Sequence, residues 1–158
     1  MKKTQTTTVA LSLLMMLIGY FAYTARDAYF SVIPMLFLAI PAYFALLKTN
    51  LYKGLLFIVV LSIYATSIEA LSILTSLPYG AFNYNAQLGY KLFDLVPWTV
   101  SFGWVPLVIG SFALSSWIFK GRIYQFIGGV SLLVFSDLMI DPGAVLMRFW
   151  TWTEPGIY

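Results

Sequence analysis

The chain contains neither cysteine nor histidine. Without cysteine there can be no disulfide, thiolate metal centre, iron–sulfur cluster or thiol nucleophile. Without histidine the usual general base, haem ligand and near-neutral proton switch are missing as well. Charge is scarce: Asp, Glu, Lys and Arg make up 9% of the 158 residues, where a soluble domain carries about 25%. Nine Lys and Arg stand against six Asp and Glu, a net +3. So small and dispersed an excess does not fit a nucleic-acid-binding surface, and no nucleic acid is expected as a partner.

What is abundant is apolar: 61% of residues are hydrophobic and the mean hydropathy is +0.86. A soluble protein of this length could not hide that much apolar surface in one core. Five apolar stretches, at about 9–24, 29–47, 55–74, 96–119 and 123–140, are long enough to span a bilayer. They are separated by Arg26-Asp27, Lys48-Thr49-Asn50, an aromatic loop over 78–91 and Lys120-Gly121-Arg122. Backbone in lipid must satisfy its own hydrogen bonds, and no alternating polar strands favour a barrel. The expectation is all-α: one polytopic membrane helix bundle of five to six helices over 1–158. Lys2-Lys3 and the first apolar run resemble a signal peptide, but the small-residue cleavage pattern near 22–25 is poor, so the first helix is expected to be retained. With the N-terminus inside, Lys2, Lys3, Lys48, Lys53, Lys120 and Arg122 lie inside, against Arg26, Lys91 and Arg148 outside. The positive-inside rule then predicts a multi-pass protein of the cell membrane with a cytoplasmic N-terminus.

Two carboxyls fall within apolar stretches. Glu69 and Asp137 each lie 14 residues beyond the start of their stretch (69 − 55 and 137 − 123). At about 1.5 Å per residue both sit roughly 21 Å from the inner edge, at one level. Asp141 lies one turn beyond Asp137, on the same face if the helix continues. Buried ionisable groups in a membrane cost several kcal/mol and mark functional sites by default. A carboxylic acid kept neutral there is a ready proton donor. The competing readings are a hydrogen-bonding strut or an ion pair with Lys91 or Arg148. For Asp141, in Asp141-Pro142-Gly143, the alternative is the cap of a new helix starting at Pro142. Asp94 and Glu154 read as solvated loop residues, and Asp27 as part of a turn.

Aromatics make up 18% of the chain. Trp117, Trp150 and Trp152 read as interface belts, whereas Tyr79, Phe82, Tyr84, Tyr90, Trp98 and Trp104 gather at the end that carries the carboxyls. Aromatic walls suit a long flat hydrocarbon, and ring faces stabilise a carbocation. Pro97 and Pro106 would kink or break the fourth helix and open a groove, and Gly128-Gly129 marks close helix packing.

From Glu69 to the C-terminus the chain resembles the membrane carotenoid-biosynthesis proteins, which include carotenoid hydratases of the bisanhydrobacterioruberin hydratase type. The resemblance rests on an ordered set: Glu69; Pro78-Tyr79-Gly80-Ala81-Phe82-Asn83-Tyr84; Leu88-Gly89; Val96-Pro97 with Trp104; Asp137 and Asp141-Pro142; Trp150-Thr151-Trp152; and Gly156-Ile157-Tyr158. Glycines expected before Pro78 and Pro97 are absent. The family pattern continues past Gly-x-Tyr, so this chain is expected to lack the family's C-terminal helices, with a second copy or partner subunit as a way to complete the site. The resemblance implies a lyase that hydrates a terminal C=C bond of an acyclic carotenoid end group. Its partners would be a lipid-soluble polyene, water and membrane lipid. The residues permit that chemistry independently, since alkene hydration needs a strong acid, a stabilised cation and a placed water, with no cofactor or metal expected. Candidate catalytic residues are Glu69, Asp137 and Asp141; candidate substrate-binding residues are Tyr79, Tyr84, Trp98 and Trp104. Two alternatives remain: a cyclase using the same acid chemistry, and a small transporter or binding subunit. The lack of an internal repeat counts against the transporter.

Overall fold

The computed structural model describes residue 17 and residues 32–153. Among these, four helices form: α1 (Val32–Thr49), α2 (Leu51–Thr75), α3 (Val100–Ile118) and α4 (Arg122–Leu146). Between α2 and α3 runs a capping segment with β1 (Phe82–Tyr84), a 3-10 turn (Ala86–Leu88), β2 (Lys91–Leu92) and β3 (Val96–Pro97), and β4 (Trp150–Trp152) follows α4. Helices α2, α3 and α4 are long and apolar enough to cross a membrane. The expected helix bundle therefore forms, with four helices among the described residues rather than five to six. Apart from residue 17, the stretch at 9–24 lies outside the described residues, as do Arg26, Asp27 and Glu154.

Local chemistry sets the helix ends. Asn50 alone separates α1 from α2, and its side chain accepts the Lys53 N–H at 3.0 Å, capping α2. At the other end Ser76 turns left-handed (φ 61°) and donates its N–H to the Ser72 carbonyl. The third helix starts at Val100 rather than near 96, because the residue before a proline disfavours the helical region. Val96–Pro97 instead pairs antiparallel with Lys91–Leu92. The alternative reading of Asp141 as the cap of a new helix at Pro142 does not hold, since α4 runs through Pro142 to Leu146. One lost N–H costs less in apolar surroundings than exposing a whole helix end.

Helix α3 is central, packing against α1, α2 and α4, while α2 and α4 hardly touch. Gly128 and Gly129 seat α4 against α3. A Cβ at 128 would meet the Phe119 ring at 2.5 Å and Ser115 Oγ at 2.6 Å, and one at 129 the Phe112 ring at 2.7 Å. Away from these seams, Leu56, Ile63, Tyr64, Leu74, Phe126, Phe135 and Met139 are 62–69% exposed, as suits side chains that face lipid. The largest buried apolar cluster is not between helices but in the cap: Phe82, Tyr84, Leu88, Val96 and Val100. There β1 pairs antiparallel with β4 in the register Phe82↔Trp152, Asn83↔Thr151 and Tyr84↔Trp150. The chain after α4 thus folds back over the loop after α2, held further by Asn85, whose N–H donates to the Phe149 carbonyl and whose Nδ2 donates to the Arg148 carbonyl, both at 2.9 Å.

Candidate active site

Where α2 and α4 diverge they leave a cavity of about 1280 Å³, floored by α3 and roofed by the cap. Drug-sized ligands occupy roughly 300–1,000 Å³, so this space suits a larger or longer molecule. Its lining follows α3 from Val100 to Leu114 and α4 from Leu132 to Leu146. At about 1.5 Å per residue these are walls of roughly 21 Å each. The wall is mostly apolar, with Leu107, Leu114, Leu132 and Ile140 among its members, and polar groups gather near the cap: Glu69, Gln87, Asp141 and Arg148. Glu69 is the sole α2 residue in the lining.

Glu69 is 5% exposed. It is held by two donors from different elements: the Trp104 indole Nε1–H donates to Oε1 at 2.8 Å, and the Tyr84 hydroxyl hydrogen-bonds the carboxyl. Tyr79 stacks on Trp104, with centroids 6.3 Å apart and planes 21° apart. Its N–H donates to Ser72 Oγ at 3.2 Å, which ties the start of the cap to α2. Burial, with Glu69 and Asp137 nearby, pushes the Tyr79 hydroxyl up to about 12. Burial, then Glu69, likewise holds Tyr84 well above the ordinary tyrosine value. Both phenols therefore keep their protons at physiological pH and serve as neutral donors.

Asp137 and Asp141 project from α4 into the same cavity. They are neighbours one turn apart on α4, and both share the cavity lining with Glu69, Tyr79 and Tyr84. Asp141 accepts the Trp150 Nε1–H at 3.0 Å. Each of these two acids, Glu69 and Asp141, thus has an indole donor. The elements that bring them together meet at the Tyr84↔Trp150 pair, whose rings touch edge to face at 5.9 Å.

Of the residues singled out from sequence, Glu69, Asp137, Asp141, Tyr79, Tyr84 and Trp104 all line the cavity. Trp98 does not. It is 42% exposed and lies edge-on behind Phe102, at 5.6 Å, and Phe102 is what faces the cavity. Trp150, read from sequence as a belt residue, belongs instead to the acid cluster; its place in Trp-x-Trp near the Asp pair was the available signal. Ser72 and Gln87 also went unread, since isolated polar residues in an apolar sequence carry no pattern of their own. No group of three or more potential metal ligands occurs among the described residues.

The fold and the cavity define a class: a helical membrane protein with an acid-bearing apolar pocket roofed by an aromatic cap. More particularly, the chain belongs to the carotenoid biosynthesis protein family, whose sequence profile matches residues 26–158. It is 30% identical over 105 residues to the bisanhydrobacterioruberin hydratase of Haloarcula japonica. That match covers 64% of this chain and 36% of the relative, so the chain spans about a third of the relative's length. No solved structure matches it.

Proposed function

We propose that the chain catalyses cofactor-independent, acid-catalysed hydration of a terminal C=C bond in an acyclic carotenoid end group within the membrane. The observation that carries this reading is Glu69: a buried carboxyl on the wall of a long apolar cavity, gripped by Trp104 and Tyr84 and flanked by aromatic faces. Because α2 gives the cavity only Glu69, the space between α2 and α4 is the route by which a bilayer-dissolved polyene reaches the acids.

Glu69, in its neutral form, transfers its proton to the less substituted carbon of the terminal alkene. The π bond breaks, a C–H bond forms, and a tertiary cation is left beside the rings of Trp104 and Tyr79. A water oxygen then bonds to the cation. The proton it releases passes to Asp137 or Asp141 and returns to Glu69, leaving a tertiary alcohol one water heavier than the substrate. Trp104 and Tyr84 act as donors to the Glu69 carboxylate while its proton is away, an interaction stronger in that state than before it.

The test is expression in cells making lycopene, with pigments separated by chromatography and weighed by mass spectrometry, for wild type, Glu69→Gln and Asp137→Asn. A gain of one water per modified end that disappears in both variants is the expected result. An unchanged mass with altered retention and absorption would mean ring closure. Unchanged pigment with the protein present in membranes would overturn the enzymatic reading for this chain alone and leave a transporter or binding role.

A further inference from the structure

We propose that the tip of the β2–β3 hairpin is a membrane anchor, with Phe93 seated at the boundary between lipid headgroups and acyl chains on the side of the bilayer that carries the cap. The hairpin closes through the Leu95 N–H to the Leu92 carbonyl at 3.0 Å. Within the three-residue loop 93–95 this makes Phe93 and Asp94 the central residues of a β-turn, both in the left-handed region (φ 53° and 59°). Turns of this shape favour Asn-Gly or Asp-Gly, which enter that region easily. A bulky aromatic enters it against a steric cost. Nothing among the described residues offsets the cost, because Phe93 is 90% exposed. An aromatic held in a disfavoured conformation yet packing on none of the described residues points to a contact outside this fold.

Position identifies that contact as lipid. Strand β3 ends at Pro97, three residues before the first residue of the spanning helix α3. The Trp98 N–H donates to the Tyr90 carbonyl at 3.1 Å, fastening the hairpin to that helix entrance. Strand β3 also packs against α2, whose end exposes Leu74 (69%), with Leu77 (68%) just beyond. The tip therefore sits beside surface already given to lipid. Its composition fits the same level: Tyr90 (75% exposed) and Trp98 (42%) are aromatics with a polar edge, and Lys91 and Asp94 flank Phe93. Mixed aromatic and charged groups match the headgroup layer. The central patch of a protein–protein interface is depleted of charge.

The lack of cysteine makes the test clean, since one introduced thiol takes one label. Full-length Phe93→Cys would carry a nitroxide in phosphatidylcholine vesicles, with its collisions with oxygen and with a water-soluble nickel chelate measured. Tyr64→Cys on the lipid-facing side of α2 and Lys120→Cys in the charged turn before α4 supply the two reference environments. A label at 93 that favours oxygen, as at 64, is expected; one as open to nickel as at 120 overturns the proposal. Dipolar coupling between labels on separate copies also overturns it, in favour of self-association. A second variant guards against a local artefact. Phe93→Gly suits φ 53° and should leave the detergent thermal midpoint unchanged or higher. It should also shift a label at Leu92→Cys toward the nickel chelate, and no shift would count against the anchor. These readouts do not depend on catalysis, so failure here leaves the hydration proposal standing, and the reverse also holds.

Discussion

Replacing Trp104 with Phe removes a single donor, the indole Nε1–H 2.8 Å from Glu69 Oε1, while keeping an aromatic ring to stack on Tyr79. A hydrogen bond contributes about 0.5–1.5 kcal/mol to a neutral partner and about 1.5–3 kcal/mol to a charged one. If Glu69 is neutral in the ground state and ionised beside the cation, the donor favours the second state by about 1–1.5 kcal/mol. At about 1.36 kcal/mol per tenfold, Trp104→Phe should lower kcat by about 5- to 13-fold. The effect should fall on kcat with KM nearly constant, because the interaction strengthens only as the proton leaves. Initial rates would be followed by chromatography on purified protein in detergent, with an acyclic carotenoid dissolved in the same micelles. A raised KM with unchanged kcat would make Trp104 a wall of the pocket and nothing more. A loss as complete as in Glu69→Gln would show that the ring itself, not its N–H, is required. Either result refutes the differential-donor argument.

Three further outcomes are expected. Trp150→Phe, which removes the donor to Asp141 at 3.0 Å, should lower kcat by about two- to fivefold in the same assay, the size of one weak hydrogen bond. Gly128→Ala should lower the thermal midpoint in detergent by the equivalent of about 1–3 kcal/mol, since its methyl would overlap Phe119 and Ser115 and push α4 off α3; an unchanged midpoint would mean the seam is soft. Tyr79 carries a folded-state value of about 12 against 10.0 unfolded, mainly through burial. The folded state therefore holds that proton more tightly, and the stabilisation, full below pH 10, is lost as pH rises towards 12. Thermal melts over that window should show a shallower decline for Tyr79→Phe than for wild type, and parallel curves would contradict the burial.

Much of this was legible in the sequence, and the reason is depth. An acid inside an apolar run is conspicuous, and counting residues from the breaks brought Glu69 and Asp137 to one level, where the cavity holds them both. The helices were legible for the same reason, with some ends misplaced: α2 starts at Leu51 behind the Asn50 cap rather than at 55, Val96–Pro97 became a strand, and Pro142 was absorbed into α4. What local pattern could not show was pairing across the chain. Strand β4 is three residues long, too short for a period-two signal, and its partner β1 lies 66 positions earlier (150 − 84). Trp150 looked like any membrane-boundary tryptophan until that pairing set it against Asp141. Trp98 went the other way: it shares the aromatic-rich end with Trp104, but it precedes α3 and does not line the cavity.

The same strand pair bears on which product an acid site of this kind releases. A protonated end group can take up water or close on its own chain, and the choice depends on what stands next to the cation. Ring closure needs a dry wall that folds the polyene back on itself. Here the roof over the acids is Tyr84 and Trp150, with Asp141, Gln87 and Arg148 in the lining nearby, and the apolar length of the cavity runs away from them along α3 and α4. A polyene of the proposed kind, lying in that length, would present its end to the polar groups and keep its remaining double bonds among the leucines. The polar end has donors and acceptors enough to hold a water. Under the proposed hydration, it is the cap, more than the helices, that would favour the alcohol over the ring.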